Sequence, residues 1–402
     1  MKRILFSAAL MIATVFSQAQ STEQTKPAYQ NIADKLLSSE NKLTIGGYGE
    51  VHYHQPFSSE TRRNGELDVH RMVMLFGYQF SDRTQFVTEL EFEHVSEVYV
   101  EQAFLQHKIS KSINFRGGLL LIPMGIVNEY HEPTTFNGVD RPLIDNKISP
   151  STWREVGFGL SGTIQPANLK YQAYLVNGFN GYDGTAKLNG NGGLRSGRQK
   201  GAESYISSPN FTAKLEYYGI RGLNVGISGY FGDTQSKLYN GIAKDNEAAL
   251  AKADSSVVGI SMIGLDARYN LKGLQLRGQF YLVGLSNTDQ YNQFTGKKGG
   301  PLNDLGSSMT GYYVEAGYNV FRSFEKVKTE LIPFVRFEGY DMHAKVPANI
   351  IRNDAYKNSV VTTGLTLKLA QGAVLKTDMQ WVNPNGAGST TKVFSAGLGV
   401  MF

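Results

Sequence analysis

Counting back in twos from Phe402, the positions Val400, Leu398, Ala396 and Phe394 are all apolar, while Met401, Gly399, Gly397, Ser395 and Val393 between them are mostly small. An apolar residue at every second position is the pattern of a β-strand with one greasy face. The alternation recurs in about sixteen runs, at 43–54, 66–80, 84–94, 97–109, 112–121, 153–165, 167–178, 209–219, 222–231, 257–270, 273–286, 310–321, 327–341, 355–369, 372–383 and 391–402. A soluble β-sandwich would leave a flat edge and a terminal Phe exposed, which soluble sheets avoid.

The connections carry a second pattern. Very short ones (81–83, 110–111, 166, 220–221, 271–272, 323–326, 370–371) alternate with mostly long ones (55–65, 122–152, 179–208, 232–256, 287–309, 342–354, 384–390). One exception stands at 94–96, where a short connection takes the place of a long one. Barrels that cross a membrane have tight turns on the periplasmic side and long loops outside. The expected fold is therefore all-β: a transmembrane antiparallel β-barrel of about sixteen strands over 43–402, with short periplasmic turns and long extracellular loops. Ten residues at about 3.3 Å each, tilted by roughly 40°, cover about 25 Å, the height of the apolar band. No repeat of fixed period favours a propeller or solenoid.

Residues 1–19 read as a cleaved signal peptide, with Lys2 and Arg3 ahead of an apolar run at 4–16 and a cleavage site after Ala19. Residues 20–42 read as a polar periplasmic lead-in with room for one helical turn at 33–37. The expected location is the outer membrane of a Gram-negative cell. The absence of Cys excludes disulfides and Cys-based metal sites. The 44 Gly, 22 Tyr and 22 Phe against 2 Trp suit crowded lumen positions and aromatic rims. A net charge of +5 without a basic block gives no footing for nucleic acid.

A charge at bilayer mid-depth costs several kcal/mol, so charged side chains in the runs must face the lumen. That turns Glu89, Glu91 and Glu93 inward, opposite Phe86, Leu90 and Phe92. It places Glu50, His52 and His54 inside on the first run, and Arg71 is counted with them. Lys214 and Glu216 follow on the eighth run, Asp266 and Arg268 on the tenth, and Arg277 on the eleventh. Glu315 lies on the twelfth, Arg336 and Glu338 on the thirteenth, and Lys376 and Asp378 on the fifteenth. The parity of the fourth run is ambiguous, since Glu101 faces inward in one register only. A barrel this wide is expected to hold water, where charged rings set ion preference. The same charges can equally pair across strands and brace the wall.

Residues 122–152 carry four of the chain's 12 Pro, dense charge and scattered apolar residues. A connection of this length without strand character is usually functional. The expectation is a loop folded back into the barrel, with Ile144 and Ile148 against the wall. Glu129, Glu132, Asp140, Arg141, Asp145 and Lys147 would then form a pore constriction. An external cap over the mouth is the alternative.

The stretch 118–162 contains Pro-Met-Gly-Ile at 123–126, Asn-Glu-Tyr-His-Glu-Pro at 128–133, Arg-Pro-Leu-Ile at 141–144 and Ser-Thr-Trp-Arg-Glu-Val-Gly at 151–157. With Gly-Tyr-Gly-Glu at 47–50 and Asp-Val-His-Arg at 68–71, it resembles the phosphate-selective porin O and P family, in the versions found in Bacteroidetes-type outer membranes. The resemblance implies a homotrimer of sixteen-stranded barrels with an inward third loop, passing small hydrophilic solutes or ions by passive diffusion. Phosphate selection in that family rests on a run of Arg and Lys. Here Arg71, Arg141, Lys147 and Arg154 sit among Glu89, Glu91, Glu93, Glu129, Asp140, Asp145 and Glu155, which offset a positive field. The sequence therefore leaves anion preference open.

An outer-membrane enzyme and a non-conducting adhesive or structural barrel are the rival readings. The sequence has 7 His but neither G-x-S-x-G nor H-E-x-x-H, and His131 beside Glu132 is the strongest catalytic candidate. No catalytic residue, metal or cofactor is expected. His52 and His54 share a face but lack a carboxylate at fixed spacing, and read as polar lumen residues. The long loops 179–208, 232–256 and 287–309 could hold partners, although the Gly/Asn run at 189–193 reads as flexible. Expected contacts are outer-membrane lipid and the barrel-assembly machinery. Phe402, facing outward at the periplasmic rim, is read as the assembly signal.

Overall fold

In the computed structural model the described residues are 31–386 and 388–402, so the expected signal peptide and most of the lead-in fall outside them. Period-two alternation becomes β1 (Leu43–Phe57), β2 (Glu66–Ser81), β3 (Thr84–Glu93), β4 (Glu97–Lys108), β5 (Asn114–Leu121), β6 (Arg154–Ile164) and β7 (Leu169–Val176). A short β8 (Asn180–Tyr182) precedes β9 (Asn210–Ile220) and β10 (Leu223–Asp233), and a short β11 (Gln235–Ser236) follows. The chain ends with β12 (Gly259–Leu271), β13 (Leu274–Ser286), β14 (Ser308–Tyr318), β15 (Glu330–Lys345), β16 (Lys357–Ala370), β17 (Ala373–Pro384) and β18 (Thr391–Met401).

All of these strands except β8 and β11 close into one antiparallel barrel of sixteen, sealed by β1 against β18. Tyr48 pairs with Met401, and Phe402 exchanges backbone hydrogen bonds with Gly47 at 2.9 and 3.1 Å. The outer face carries the apolar parity: Ile263, Leu265, Phe280, Leu282, Val335, Phe337, Leu398 and Val400 are exposed. Their neighbours Met262, Asp266, Tyr281, Arg336 and Glu338 are buried inside. Lipid covers such an outer face in a membrane barrel.

The ambiguous parity of β4 has a local cause. Glu89 pairs with Gln102 and Leu90 with Val100, so Glu101 is the extra residue of a β-bulge. Both Glu101 and Gln102 are buried within the barrel, and the inward set switches from odd to even positions there.

Two segments fill the tube. The helix α1 (Ile32–Leu37) is capped by the Asn31 side chain, which accepts from the Asp34 amide at 2.8 Å. Its Ile32, Ala33 and Leu36 are buried, and its Asp34 accepts from Lys170 at 2.7 Å. The lead-in therefore does more than precede the barrel: its last part seats inside the short-turn end, against Gly46 and Gly77 of β1 and β2. The second filler is 122–153, which includes the short helix α2 (Ile144–Lys147).

Candidate functional site

The segment after β5 turns into the lumen at once, and 121–133 are buried without exception. Gly125 makes the entry possible. It has φ +66°, and a Cβ there would lie 1.9 Å from the Tyr281 hydroxyl. The Ile126 amide donates to Gln279 Oε1 at 2.6 Å. Asn128 ties the two ends of the segment together. Its Nδ2 donates to the carbonyls of Ile122 and Trp153 at 2.7 and 2.8 Å, and its Oδ1 accepts from the Trp153 amide at 2.8 Å. Trp153 is fully buried between Phe179 and Tyr230, at 4.7 and 4.6 Å between ring centroids.

Charges fasten the segment to the opposite wall. Lys214 Nζ donates to Gly125 O at 2.6 Å and to Glu129 Oε2 at 2.8 Å, with Glu216 and Asp266 each 3.9 Å away. Arg268 holds Glu216 at 2.7 Å and lies over the Tyr130 ring. Glu132 Oε1 accepts from the Ile32 amide at 2.8 Å, joining the segment to α1. Arg277 pairs with Glu315 at 3.3 Å and donates to Thr135 O at 2.9 Å. The Val139 amide donates to Asp378 at 2.7 Å, and Arg336 Nη2 to Asp140 O at 3.2 Å. Ile144 N donates to Glu338 at 3.3 Å. Asp145 accepts from Gln279 at 2.7 Å and Tyr281 at 3.0 Å, and burial pushes its carboxyl up to about 7. Lys376 sits 3.7 Å over the Phe136 ring. The segment thus spans the tube, and an external cap is not what 122–152 forms.

On the near side, Arg71 bonds Glu50, lies 3.7 Å from Glu91, and donates to His131 O at 2.7 Å. His131 pairs with Glu101 at 3.3 Å and Glu89 at 3.8 Å. Burial alone would lower the His131 pKa, but these carboxylates outweigh it and raise it to about 10. The strongest catalytic candidate of the sequence is therefore a protonated member of an ion network. Tyr48, to which the sequence assigned no lumen role, stands at its centre, with its hydroxyl 2.9 Å from Glu89 and 3.0 Å from His131.

The water-filled lumen expected at the level of these charges is corrected. Glu50, Arg71, Glu89, Glu91, Lys214, Glu216, Asp266, Arg268, Glu315, Arg336, Glu338, Lys376 and Asp378 are all between 0% and 6% exposed. Of the inward set, His54, Glu93 and Arg277 are half-buried. The chain itself fills the width: 122–153, α1 and 179–208 pack Ile122, Met124, Ile126, Ile144, Ile148, Phe179, Leu188 and Leu194 out of solvent. Polar cavities of about 320 and 280 Å³ remain toward the short turns, the first beside Arg268, Gln275 and Arg277, the second beside Asp34, Arg116 and Lys170. The Gly/Asn run is also corrected. Gly193 donates to Asn189 O at 2.8 Å, and Gly190 packs so close to His343 that a Cβ would lie 2.5 Å from its Nε2.

Toward the long loops the charge balance changes. Arg141, Lys147, Arg195, Arg198 and Lys200 are all half-buried, and none has a carboxylate within 4 Å among the described residues. Arg198 Nη1 donates to Ser151 O at 2.6 Å and Thr152 Oγ1 at 3.0 Å, and Arg154 donates to Thr152 O at 3.3 Å. Lys200 and Arg154 both face the Tyr99 ring, at 4.7 and 5.7 Å. One guanidinium nitrogen of Arg195 is buried without a hydrogen-bond partner. Burial, then the neighbouring Arg195 and Arg154, push Arg198 down to about 9. Burial and then Arg195 lower Lys147, and burial and then Arg198 lower Lys200. Arg195, Arg198 and Lys200 were missed in the sequence because they sit in a Gly-rich loop with no strand parity to orient them.

A sixteen-strand barrel with a long connection folded across its lumen defines the porin class of outer-membrane fold. The chain matches, at 11% identity, an anion-selective porin from Comamonas acidovorans, with TM-score 0.57 over 90% of this chain and 99% of that one. It matches OmpF of Salmonella typhi at 12% identity and TM-score 0.57, over 90% of this chain and 98% of that one, and the outer-membrane channel DcaP of Acinetobacter baumannii at 10% and 0.56, over 90% and 97%. These likenesses show the fold. No family profile matches the chain. It belongs to the family of an uncharacterized protein of Aquifex aeolicus (strain VF5), being 31% identical over 359 residues, 86% of this chain and 77% of the relative.

Proposed function

We propose that the protein is an outer-membrane porin that passes small anions, inorganic phosphate among them, by diffusion through a passage narrowed by 122–152. The observation that carries this reading is the cationic band of Arg141, Lys147, Arg195, Arg198 and Lys200, which no carboxylate neutralises within ion-pair distance among the described residues. Cations left unpaired in a partly buried site lower one another's pKa, and an anion entering relieves both their repulsion and their desolvation. An unpartnered guanidinium nitrogen at Arg195 suits an anion as acceptor. Deeper in, both signs are matched in ion pairs, so those charges hold 122–152 in place and the band sets preference. The packed middle favours ion-sized solutes over sugars. The motif resemblance to phosphate-selective porins agrees with this reading and implies a homotrimer.

The test is the reversal potential across planar bilayers under a salt gradient. The wild type should be anion-preferring. Arg195→Gln with Arg198→Gln should shift it toward cations, and Arg141→Gln with Lys147→Gln should do so to a lesser degree. The shift should shrink in molar salt, where the Debye length falls to about 3 Å. An unmoved reversal potential at low salt in the folded quadruple variant overturns the assignment.

A further inference from the structure

Four of the chain's 7 His stand in one line near the long-loop ends of β1, β2 and β3. The ring centroids of His54 and His52 are 5.6 Å apart, His52 stacks on His70 at 4.6 Å, and His70 meets His94 at 5.6 Å. In the sequence only the first pair was visible, without a carboxylate. The fold supplies two. Asp140 reaches from 122–153 to within 3.9 Å of His52 Nδ1 and 3.7 Å of His54 Nδ1. Asp68 Oδ2 lies 3.4 Å from His70 Nδ1 and 2.7 Å from His94 Nδ1.

We propose that the barrel mouth binds divalent transition-metal ions of the zinc class at two triads, His52–His54–Asp140 and Asp68–His70–His94. In each triad one ligand atom per residue lies within 4.8 Å of the others. Nitrogen and oxygen ligands about 2.0–2.2 Å from a zinc ion stand roughly 3–4 Å from one another, so small side-chain movements close either set. Imidazole nitrogens outnumber carboxylates in the line, which selects zinc, copper or nickel over magnesium or calcium. Glu50 Oε2 lies 3.3 Å from His52 Nε2, the arrangement in which a carboxylate orients a ligating ring and leaves Nδ1 for the metal. Ser395 Oγ, 2.9 Å from His54 Nδ1, must yield that nitrogen when the metal arrives. Three protein ligands leave a coordination position open to water or to a passing anion.

Access separates this line from the paired charges deeper in the lumen. Side-chain exposure runs from 49% at His94 through 33% at His70 and 26% at His54 to 6% at His52. By contrast, the Glu89–Glu101–His131 group, which also has ligand spacing, is sealed at 4% or less and already internally paired.

The untagged barrel, folded in detergent and stripped with chelator, is titrated calorimetrically with Zn²⁺ alone. Saturable binding of about two ions per chain is expected from the two ligand sets, undiminished by excess Mg²⁺ or Ca²⁺. His54→Ala should weaken one site and His94→Ala the other, each by at least about tenfold. His107→Ala, outside the line, should keep both, and Co²⁺ should give the visible absorption of a nitrogen-ligated ion. Heat-modifiable migration on gels confirms that each variant is folded. No saturable Zn²⁺ binding by the folded wild type, or unchanged binding in the folded His54→Ala/His94→Ala double variant, overturns the proposal. Because calorimetry reads no conductance, either result leaves the channel reading standing or falling on its own test.

Discussion

Lys214→Met should release the segment across the lumen without unfolding the wall. The Lys214 side chain is 1% exposed and its ammonium is shared by Gly125 O, Glu129, Glu216 and Asp266. Met fills nearly the same space but removes the charge. Glu216 keeps Arg268 at 2.7 Å, whereas Glu129 retains only the amide of Gln172. Asp266 has no hydrogen-bond partner on either oxygen, so it too loses its nearest cation. Removing one partner of a buried pair costs about 3–5 kcal/mol because the other charge is left uncompensated. The barrel ladder does not pass through these contacts, so the cost falls on docking of the segment. At about 1.4 kcal/mol per tenfold, 3 kcal/mol multiplies the undocked population by roughly a hundred. Single-channel conductance should rise, and liposome swelling should show entry of small sugars that the wild type excludes. Glu129→Gln should do less, because Lys214 then keeps Glu216 and Asp266. If Lys214→Met folds normally and leaves both conductance and exclusion limit unchanged, the ion cluster is not what holds the passage narrow.

Deleting Phe402, which is 68% exposed at the seam, should lower the amount of heat-modifiable, protease-resistant barrel in the outer membrane, and normal accumulation would remove its assembly role. Docking should also depend on pH through Asp145. Its carboxyl is pushed up to about 7 by burial from an ordinary 3.8, so between those values the docked state binds more protons. Docking is then fully favoured below about pH 4 and weakens as pH rises through about 7. Conductance should climb over that window, and Asp145→Asn should flatten the profile; an identical profile in the variant refutes the assignment.

The wall was readable in the sequence because its physics is local. A strand in lipid must alternate, and each tight turn must sit where two alternating runs meet, so each barrel strand falls within a few residues of its expected run. The bulge at Glu101 was not readable, since shifting one residue costs little in sequence terms yet flips every later side chain. The filled interior was hidden for a different reason. Whether Glu129 or Lys214 meets water depends on what crosses the tube opposite it, and that is a contact 85 residues away in the chain. The cationic band was harder still: Arg198 acquires its setting from Ser151 and Thr152, far off in sequence, and no periodicity points to it or to Arg195.

The seam between β1 and β18 has a consequence for how the molecule is made. Nearly every other pairing in the wall joins strands adjacent in sequence, whereas Tyr48 and Met401 come from the two ends of the chain. Contact order is thus concentrated in a single joint. Closing a free loop of that length would cost roughly 5 kcal/mol in chain entropy. Hairpins that zip in succession curl the sheet and carry its two edges toward each other, so most of that cost has been met before the edges touch. The joint then forms last. A chain that stops short of β18 would keep two open edges, each able to pair with a neighbour instead of with itself.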